Sequence, residues 1–474
     1  MPPNAATALA QLLGPDSVLT APDDVAPFLA DHRGLYAGRA LGVVLPRSTE
    51  DVSRALAYCN TSRIGVVPHG GNTSYCGGAT PDASGRQIVL SLRRMNRIRE
   101  LDALGYSLVA EAGCVLADVQ RAADEADRFF PLSLGAEGSC QIGGNLATNA
   151  GGTKVLRFGM MRDLVLGLEV VLADGRVLPA LSTLRKDNTG YDVKSLLLGS
   201  EGTLGVITAA SLKLLPKPRS FATALASVPD VRAAVTLLAA LREASGDVVS
   251  SFELVPRIAL ELVLRHIPDT ADPLGKPHPW YVLCELTSSQ ADAALDARLE
   301  RELAAAFESG LVTDAAVAQS ERERAAFWRL RENIPDAQRR DGASLKHDVS
   351  VPVAALPAFV DEAGAWIAAH VPDGRLVAYG HVGDGNLHFN VNQAPGADRA
   401  AFLAREPEVK RAVHDLVHAY RGSFSAEHGI GRLKVAELER YASAVELELM
   451  RSLKRAFDPN GILNPGKVLR EGST

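Results

Sequence analysis

Between Gly135 and Gly152 the chain reads GAEGSCQIGGNLATNAGG, and six of these eighteen residues are glycine. Glu137 is the only charged residue in it. A stretch with so few bulky side chains cannot build a core, and a plain surface loop would carry more charge. Glycine lets backbone turn sharply and approach another group closely. The stretch therefore reads as the lining of a buried ligand site. Two further clusters share its character. Val66-Val67-Pro68-His69-Gly70-Gly71-Asn72-Thr73-Ser74-Tyr75 follows a β-like run, and successive N–H groups there can form an anion-binding nest. Gly199-Ser200-Glu201-Gly202-Thr203-Leu204-Gly205-Val206-Ile207-Thr208 leads into a strand. No G-x-G-x-x-G follows a strand with an acidic residue about 20 positions later, which argues against a nicotinamide Rossmann site.

Composition bounds the class. The chain has 474 residues, 47% apolar and 22% charged, which fits a globular protein of about two or three domains. Fifty basic against fifty-six acidic residues give a net charge of −6, so phosphate-driven nucleic-acid binding is not expected. The five cysteines form no CxxC pair, which argues against a disulfide framework, a four-cysteine zinc site and an iron–sulfur cluster. Met1 to Gly14 contains no Lys or Arg, so no secretory signal is expected, and no apolar run reaches about 18 residues. A cytoplasmic protein, with peripheral contact at the inner membrane left open, is the expectation.

The first part of the chain mixes short strands, glycine turns and a helical run over Ser48–Asn60. Ala173-Asp174-Gly175-Arg176 reads as a hairpin turn. Leu214-Leu215-Pro216-Lys217-Pro218 marks a boundary, since two prolines end a strand and stiffen a linker. Beyond it, strands alternate with helices predicted over Asp230–Glu243, Ala291–Ser309, Glu321–Glu332 and Ala354–His370. Strands are predicted at Leu345–Val351, Leu376–Val382 and Leu387–Val391. The pattern is that of an α/β-plait with an antiparallel sheet. The expected blocks are residues 1–217, 218–424 and 425–474, in an α+β fold.

The strongest local signal is Tyr379-Gly380-His381-Val382-Gly383-Asp384-Gly385-Asn386-Leu387-His388-Phe389-Asn390-Val391. A turn centred on Asp384-Gly385 pairs His381 with His388, with Cβ atoms about 5 Å apart on one face. Two imidazoles so placed can chelate an ion, and Asn390 falls on the same face. Ser425-Ala426-Glu427-His428-Gly429-Ile430-Gly431 sets a carboxylate beside an imidazole. Two histidines and a carboxylate suit zinc, and also Fe(II) or Mn(II).

The ordered motifs Pro-x-Gly-Gly-Asn-Thr, Gly-Ser-x-x-Ile-Gly-Gly-Asn-x-Ala-Thr-Asn-Ala-Gly-Gly, Arg185-Lys186-Asp187-Asn188-Thr189-Gly190-Tyr191-Asp192 and Gly-Ser-Glu-Gly-Thr-Leu-Gly carry a resemblance. The chain resembles the vanillyl-alcohol-oxidase-type FAD-binding family from about residue 40 to its C-terminus. It is most similar to the FAD-linked D-2-hydroxy acid dehydrogenases. The resemblance implies a PCMH-type FAD-binding domain of two α+β subdomains, an α/β-plait substrate domain, and a C-terminal segment returning to the FAD domain. It implies that Pro68, Gly70, Gly71, Asn72, Thr73 and Ser74 hold the FAD pyrophosphate. Gly138, Ser139, Gly143, Gly144, Asn145, Thr148, Asn149 and Gly151 would line the flavin and ribityl chain. Glu201, Gly202, Gly205, Ile207 and Asn464 would contact the cofactor further along. Asn72 stands where some relatives attach FAD covalently through a histidine, so noncovalent FAD is expected.

The same resemblance implies His381, His388 and Glu427 as ligands of a divalent metal, zinc first, and His428 as the base near flavin N5. Arg331 and Lys346 match the carboxylate-binding residues, and Asn390 joins them. Pro335 replaces a substrate-binding Thr of some relatives. The expected reaction is oxidation of a D-2-hydroxy acid to the 2-oxo acid. D-2-hydroxyglutarate is the first choice, with D-malate, D-lactate and glycolate open. An external acceptor (electron-transfer flavoprotein, a quinone or a cytochrome) and a homodimer are the expected partners. The alternatives are an FAD-binding accessory subunit, which would lack the metal pair and base, and a metal-dependent hydrolase.

Overall fold

Ser48 is extended, and its Oγ accepts the N–H of Asp51 at 3.1 Å, which starts helix α1 (Thr49–Ser62). The helix ends where Arg63 turns left-handed at φ +54°. It buries Val52, Ala55, Leu56 and Cys59, a three-to-four-residue spacing that puts all four on one stripe. The structure, a computed structural model, describes residues 5–291 and 294–470. It divides into two units, Met1–Gly151 with Met160–Lys217 and Glu427–Thr474, and Gly152–Gly159 with Pro218–Ala426. The predicted blocks 1–217 and 425–474 thus differ from the first unit in two places: residues 152–159 join the second unit, and so do Ser425 and Ala426.

In the first unit, β1 (Gly65–His69) and β2 (Gln87–Ser91) run parallel, His69 opposite Ser91. Val43–Val44 and Val18–Leu19 complete that sheet. A five-stranded antiparallel sheet holds Ile98–Asp102, β3 (Ser107–Glu111), Val206–Lys213, Val165–Val171 and Val177–Ala180, in that order. The short helix α2 (Ile142–Ala147) lies within the glycine-rich stretch, and we label Val165–Val171 β4 and Val206–Lys213 β5. The C-terminal segment returns to β1: Val66 N–H donates to Ile462 at 2.7 Å, and Asn464 N–H donates to Val66 at 2.8 Å.

The main part of the second unit begins at Pro218. β6 (Ser220–Val228) is followed by α3 (Val231–Ser245), whose first turn Asp230 caps by accepting the N–H of Ala233 at 2.7 Å. Then come β7 (Val249–Pro256), β8 (Trp280–Ser288), α4 (Leu295–Glu308) and β9 (Asp314–Val317), giving an antiparallel sheet of order β7-β8-β6-β9. The helix predicted from Ala291 starts at Leu295, and residues 292 and 293 lie outside the described residues. Helix α5 (Glu321–Glu332) has the predicted bounds because Ser320 caps it and Glu321 and Glu323 sit in its first turn.

A second sheet contains β10 (Ser344–Leu345), β11 (Asp348–Ser350), β12 (Gly374–Tyr379) and β13 (Asn386–Gln393), and α6 (Leu356–His370) packs beside it. The predicted strand Leu345–Val351 is broken because His347 N–H turns to the Asn390 side chain, at 3.1 Å. A bridge between Leu254 and Gly380 links the two sheets. The helix Val155–Phe158 belongs to this unit, where Arg157 donates to Thr287 Oγ1 at 2.6 Å and to the Thr287 carbonyl. Among the described residues no helix is long and apolar enough to cross a membrane.

Candidate active site

In the first unit the expected cofactor residues fall into two kinds. Gly71 is a packing glycine, since a Cβ there would lie 2.1 Å from the Ser139 carbonyl. Gly143 would meet Ala112 at 2.8 Å, Gly202 would meet Pro68 at 2.9 Å and Gly205 would meet Val170 at 2.6 Å. Gly138 and Gly144 are different: nothing lies within 4 Å of a Cβ built on either. Gly70 faces Gly144 backbone at 3.7 Å. The two glycine loops therefore touch through Gly71 and Ser139 and leave open space beside Gly138 and Gly144.

The same unit holds three unsatisfied buried amide acceptors. Gln141 Oε1, Asn145 Oδ1 and Asn464 Oδ1 are buried without a hydrogen-bond partner among the described residues. Buried orphan acceptors are rare in a finished fold and mark a place where a ligand completes the bonding. Pro68 lies in β1, and Thr73 and Ser74 continue the loop, with Ser74 Oγ accepting the N–H of Cys76 at 3.4 Å. Asn72 turns left-handed at φ +54° and donates its amide to the Ala30 carbonyl at 2.8 Å. Thr148 Oγ1 donates to the Gly144 carbonyl at 3.0 Å, and Asn149 Oδ1 accepts the N–H of Arg162 at 2.9 Å. Gly151 ends the stretch within this unit. Ile207 lies in β5 beside a bulge and packs into the core with Leu204 and Val170.

Glu201 ties the C-terminal segment to this unit. Its carboxylate accepts the N–H groups of Ile430 and Gly431, each at 2.7 Å. Burial pushes its pKa up, and the two backbone donors oppose this. Its carbonyl accepts the Asn464 amide at 2.8 Å. Glu201 thus staples the backbone just after His428. The His428 ring stacks on Tyr75, with centroids 4.7 Å apart, and its Nε2 lies 3.6 Å from Glu427 Oε1.

In the second unit, β13 alternates strictly. Leu387, Phe389 and Val391 enter the core, while Asn386, His388, Asn390 and Asn392 line the other face. The predicted pairing of His381 with His388 is corrected: Tyr379 stands opposite His388, and the connection runs over residues 380–385. Gly380, at φ +145°, leaves the strand to bridge Leu254, and the His381 carbonyl accepts the N–H of Asp384 and of Asn386. His381 still faces His388, with ring centroids 5.7 Å apart. Asp348 is directly opposite His388 on β11, and their ligating atoms lie within 4.8 Å.

Behind the histidines lies a carboxylate that sequence reading missed. Glu253, on β7, accepts from His381 Nδ1 at 2.7 Å through one oxygen and from Arg331 Nε at 2.7 Å through the other. Burial alone would raise its pKa, but the adjoining His381 and Arg331 outweigh it and hold the carboxyl well below its usual range. An ionised Glu253 fixes the proton on His381 Nδ1, so Nε2 is the nitrogen that can ligate. Arg331 is 6% exposed, sits 4.9 Å from the Tyr379 ring and has only its outer nitrogens left to reach a ligand. Asn390 is locked by Gln338 Oε1 at 3.1 Å and by the His347 N–H. Lys346 lies between β10 and β11 and is exposed.

The chain matches the FAD binding domain family over residues 40–180 and the C-terminal domain of FAD linked oxidases over residues 217–468. The probable mitochondrial D-2-hydroxyglutarate dehydrogenase of Oryza sativa subsp. indica is 41% identical over 461 residues, 97% of this chain and 80% of that protein. The mitochondrial D-2-hydroxyglutarate dehydrogenase of Bos taurus is 41% identical over 96% of this chain and 81% of its own length. The D-2-hydroxyglutarate dehydrogenase of Xanthomonas citri pv. viticola is 38% identical over 95% of this chain and 93% of its own. Among solved structures, p-cresol methylhydroxylase with substrate bound superposes with a TM-score of 0.76 at 18% identity, covering 98% of this chain and 96% of that one. Alkyldihydroxyacetonephosphate synthase gives 0.76 at 19% identity, covering 98% and 86%. These two likenesses are of fold, and they agree with the α+β reading. The open space beside Gly138 and Gly144 and the orphan acceptors of the same unit fit FAD, a long ligand with polar groups along its length. Taken with that fit, the two family matches and the relatives of 38–41% identity place the chain in the family of FAD-linked oxidases.

Proposed function

We propose that this FAD-dependent dehydrogenase oxidises a D-2-hydroxy acid to its 2-oxo acid, with D-2-hydroxyglutarate as the substrate. The observation that carries the reading is the buried chain Arg331–Glu253–His381 beside His388 and Asp348. It supplies a cation for a carboxylate and an imidazole held in one tautomer. The names of the D-2-hydroxyglutarate dehydrogenases support the choice of acid.

FAD, when bound, would supply the hydride-accepting chemistry. His381, His388 and Glu427 would hold a divalent metal, zinc first, which would supply Lewis-acid polarisation of a hydroxyl. Asp348 is a further oxygen donor beside His388. The chain's own residues do the rest. Arg331 binds one carboxylate through its outer nitrogens, a fork suited to the task, and Glu253 keeps that guanidinium from rotating. Lys346 takes the second carboxylate, and Asn390 keeps the polar face of β13 in register. An imidazole nitrogen of His428 takes the hydroxyl proton as the C2–O bond becomes a carbonyl. FAD is held without a covalent bond, because Asn72 occupies the attachment position and its amide is committed to Ala30.

The test is anaerobic. The flavin band near about 450 nm bleaches on adding D-2-hydroxyglutarate and stays on adding the L-enantiomer, and flavin remains in the supernatant after acid precipitation. Full turnover by His388→Ala, or after metal removal by EDTA, would refute the metal assignment. Bleaching by D-lactate but not by D-2-hydroxyglutarate would refute the substrate.

A further inference from the structure

Gln338 lies on the helix Ile334–Asp341, which follows α5 in the chain. It is buried, as are Asn390 and Asn392 on β13. The helix has its apolar anchors in Ile334 and Ala337, so the Gln338 side chain is not what seats it. A buried amide is costly unless it is bonded, and here three amides bond in series. Asn390 Oδ1 accepts the His347 N–H at 3.1 Å, and Asn390 Nδ2 donates to Gln338 Oε1 at 3.1 Å. Gln338 Nε2 donates to Asn392 Oδ1 at 2.7 Å, and Asn392 Nδ2 faces the Gln338 carbonyl at 3.5 Å. The direction of this relay is forced. An amide can turn over and exchange its oxygen and nitrogen, but a main-chain N–H can only donate. The His347 N–H therefore requires Asn390 Oδ1, which turns Asn390 Nδ2 to Gln338 Oε1 and Gln338 Nε2 to Asn392.

The relay ends on the stretch between β10 and β11. Phe389 N–H donates to the His347 carbonyl at 2.9 Å, as in an antiparallel ladder. The return bond is diverted: His347 Nδ1 takes the Phe389 carbonyl at 2.8 Å, and the His347 N–H turns to Asn390. Ser344 stands opposite Asn392 and Asp348 opposite His388, so by register Lys346 falls opposite Asn390. We propose that Gln338 sets the preference for an acid with two carboxylates. Through Asn390 it fixes the main chain at His347, and this aims Lys346 at the second carboxylate. Gln338 acts through another residue and is a positioning residue. The proposal rests on the reading of Lys346 given above.

The test uses the FAD-loaded full chain. It compares D-2-hydroxyglutarate with D-2-hydroxyvalerate, an acid of the same length without the second carboxylate. Gln338→Met lowers the ratio of the two kcat/KM values about tenfold, on the scale of one buried hydrogen bond. The loss lies in KM for D-2-hydroxyglutarate, and kcat/KM for D-2-hydroxyvalerate stays within about twofold. In a Lys346→Met background, Gln338→Met changes the ratio no further, because both act on one contact. Amide hydrogen exchange in the peptide over residues 344–350 becomes faster. Asn392→Ala, which removes the acceptor of Gln338 Nε2, lowers the ratio in the same direction and carries the test if Gln338→Met does not fold. Equal losses on both acids overturn the proposal, since Gln338 then supports the fold alone. Unchanged exchange over 344–350 overturns it too, as does an unchanged ratio in Gln338→Met when Lys346→Met lowers it. A wild type with no preference for D-2-hydroxyglutarate, or a Lys346→Met variant that keeps the preference, overturns the reading of Lys346 and this proposal with it, a result separable from the others.

Discussion

His69 ends β1 one residue before the double glycine, 8% exposed and with neither ring nitrogen hydrogen-bonded among the described residues. Its ring meets Phe28 at 5.1 Å between centroids. Burial pushes its pKa from 6.5 down to about 4. Between those values the unfolded chain binds a proton that the folded chain refuses, so stability falls as pH is lowered through the interval. The contribution is fully present above pH 6.5 and lost by about pH 4. His69→Gln removes this titration. Thermal melts from pH 7 to pH 4 should show a steeper loss for the wild type than for the variant, and parallel curves would contradict the assignment. At this scale the sequence does not divide the glycines into packing positions such as Gly71 and Gly205 and positions with open space beside them such as Gly138 and Gly144. That division depends on what stands opposite each Cα, which composition does not encode.

Elements show where register, rather than residue type, decides the chemistry. The sequence places a two-residue turn at Asp384-Gly385, whereas the connection spans residues 380–385 and shifts the pairing by two. A shift of two keeps every side chain on its face, and a shift of one would have reversed them. The expected face of β13 therefore survives an incorrect turn. Glu253 was not legible for the opposite reason. All eight residues of β7 are buried, so no alternation marks an intruding charge, and its partners lie 78 and 128 positions away. Helix α5, by contrast, carries its own start signal in Ser320 and its acidic first turn. Glu253 ties α5 to the 380–385 connection, so Glu253→Ala strands a buried guanidinium. Removing one partner of a buried pair costs about 3–5 kcal/mol. Chemical denaturation should register a loss of that size. Combining it with Arg331→Met should cost less than the sum of the two single losses, because the stranded charge is gone.

Across the whole molecule, the covalent path sets what can fold alone. The chain passes between the units after Gly151, Gly159, Lys217 and Ala426. All three glycine clusters precede residue 217, so a fragment ending at 426 keeps every motif that announces FAD in the sequence. It would still lack what closes the FAD unit. Ile462 and Leu463 belong to the core around α1, β1 and β2. Lys454, buried, bonds Asp458 at 2.6 Å, the Thr203 carbonyl at 2.9 Å and the Leu463 carbonyl at 2.7 Å. Burial lowers the Lys454 pKa and Asp458 opposes this, so the ammonium depends on its partner. Asn464 bonds the Gly78 and Glu201 carbonyls, and the Glu201 carboxylate takes its donors among the described residues from Ile430 and Gly431. Truncation at 426 leaves the carboxylate of Glu201 without those donors and exposes the face of β1 that Leu463 covers. The expected result is a fragment that retains no flavin through gel filtration and melts well below the full chain. Lys454→Met tests the same closure without deleting backbone: it should lower stability by several kcal/mol by stranding Asp458, and added FAD should recover part of the loss through binding to the folded state. A fragment ending at 426 that held stoichiometric FAD would show that the glycine clusters suffice, and that the returning segment serves His428 alone.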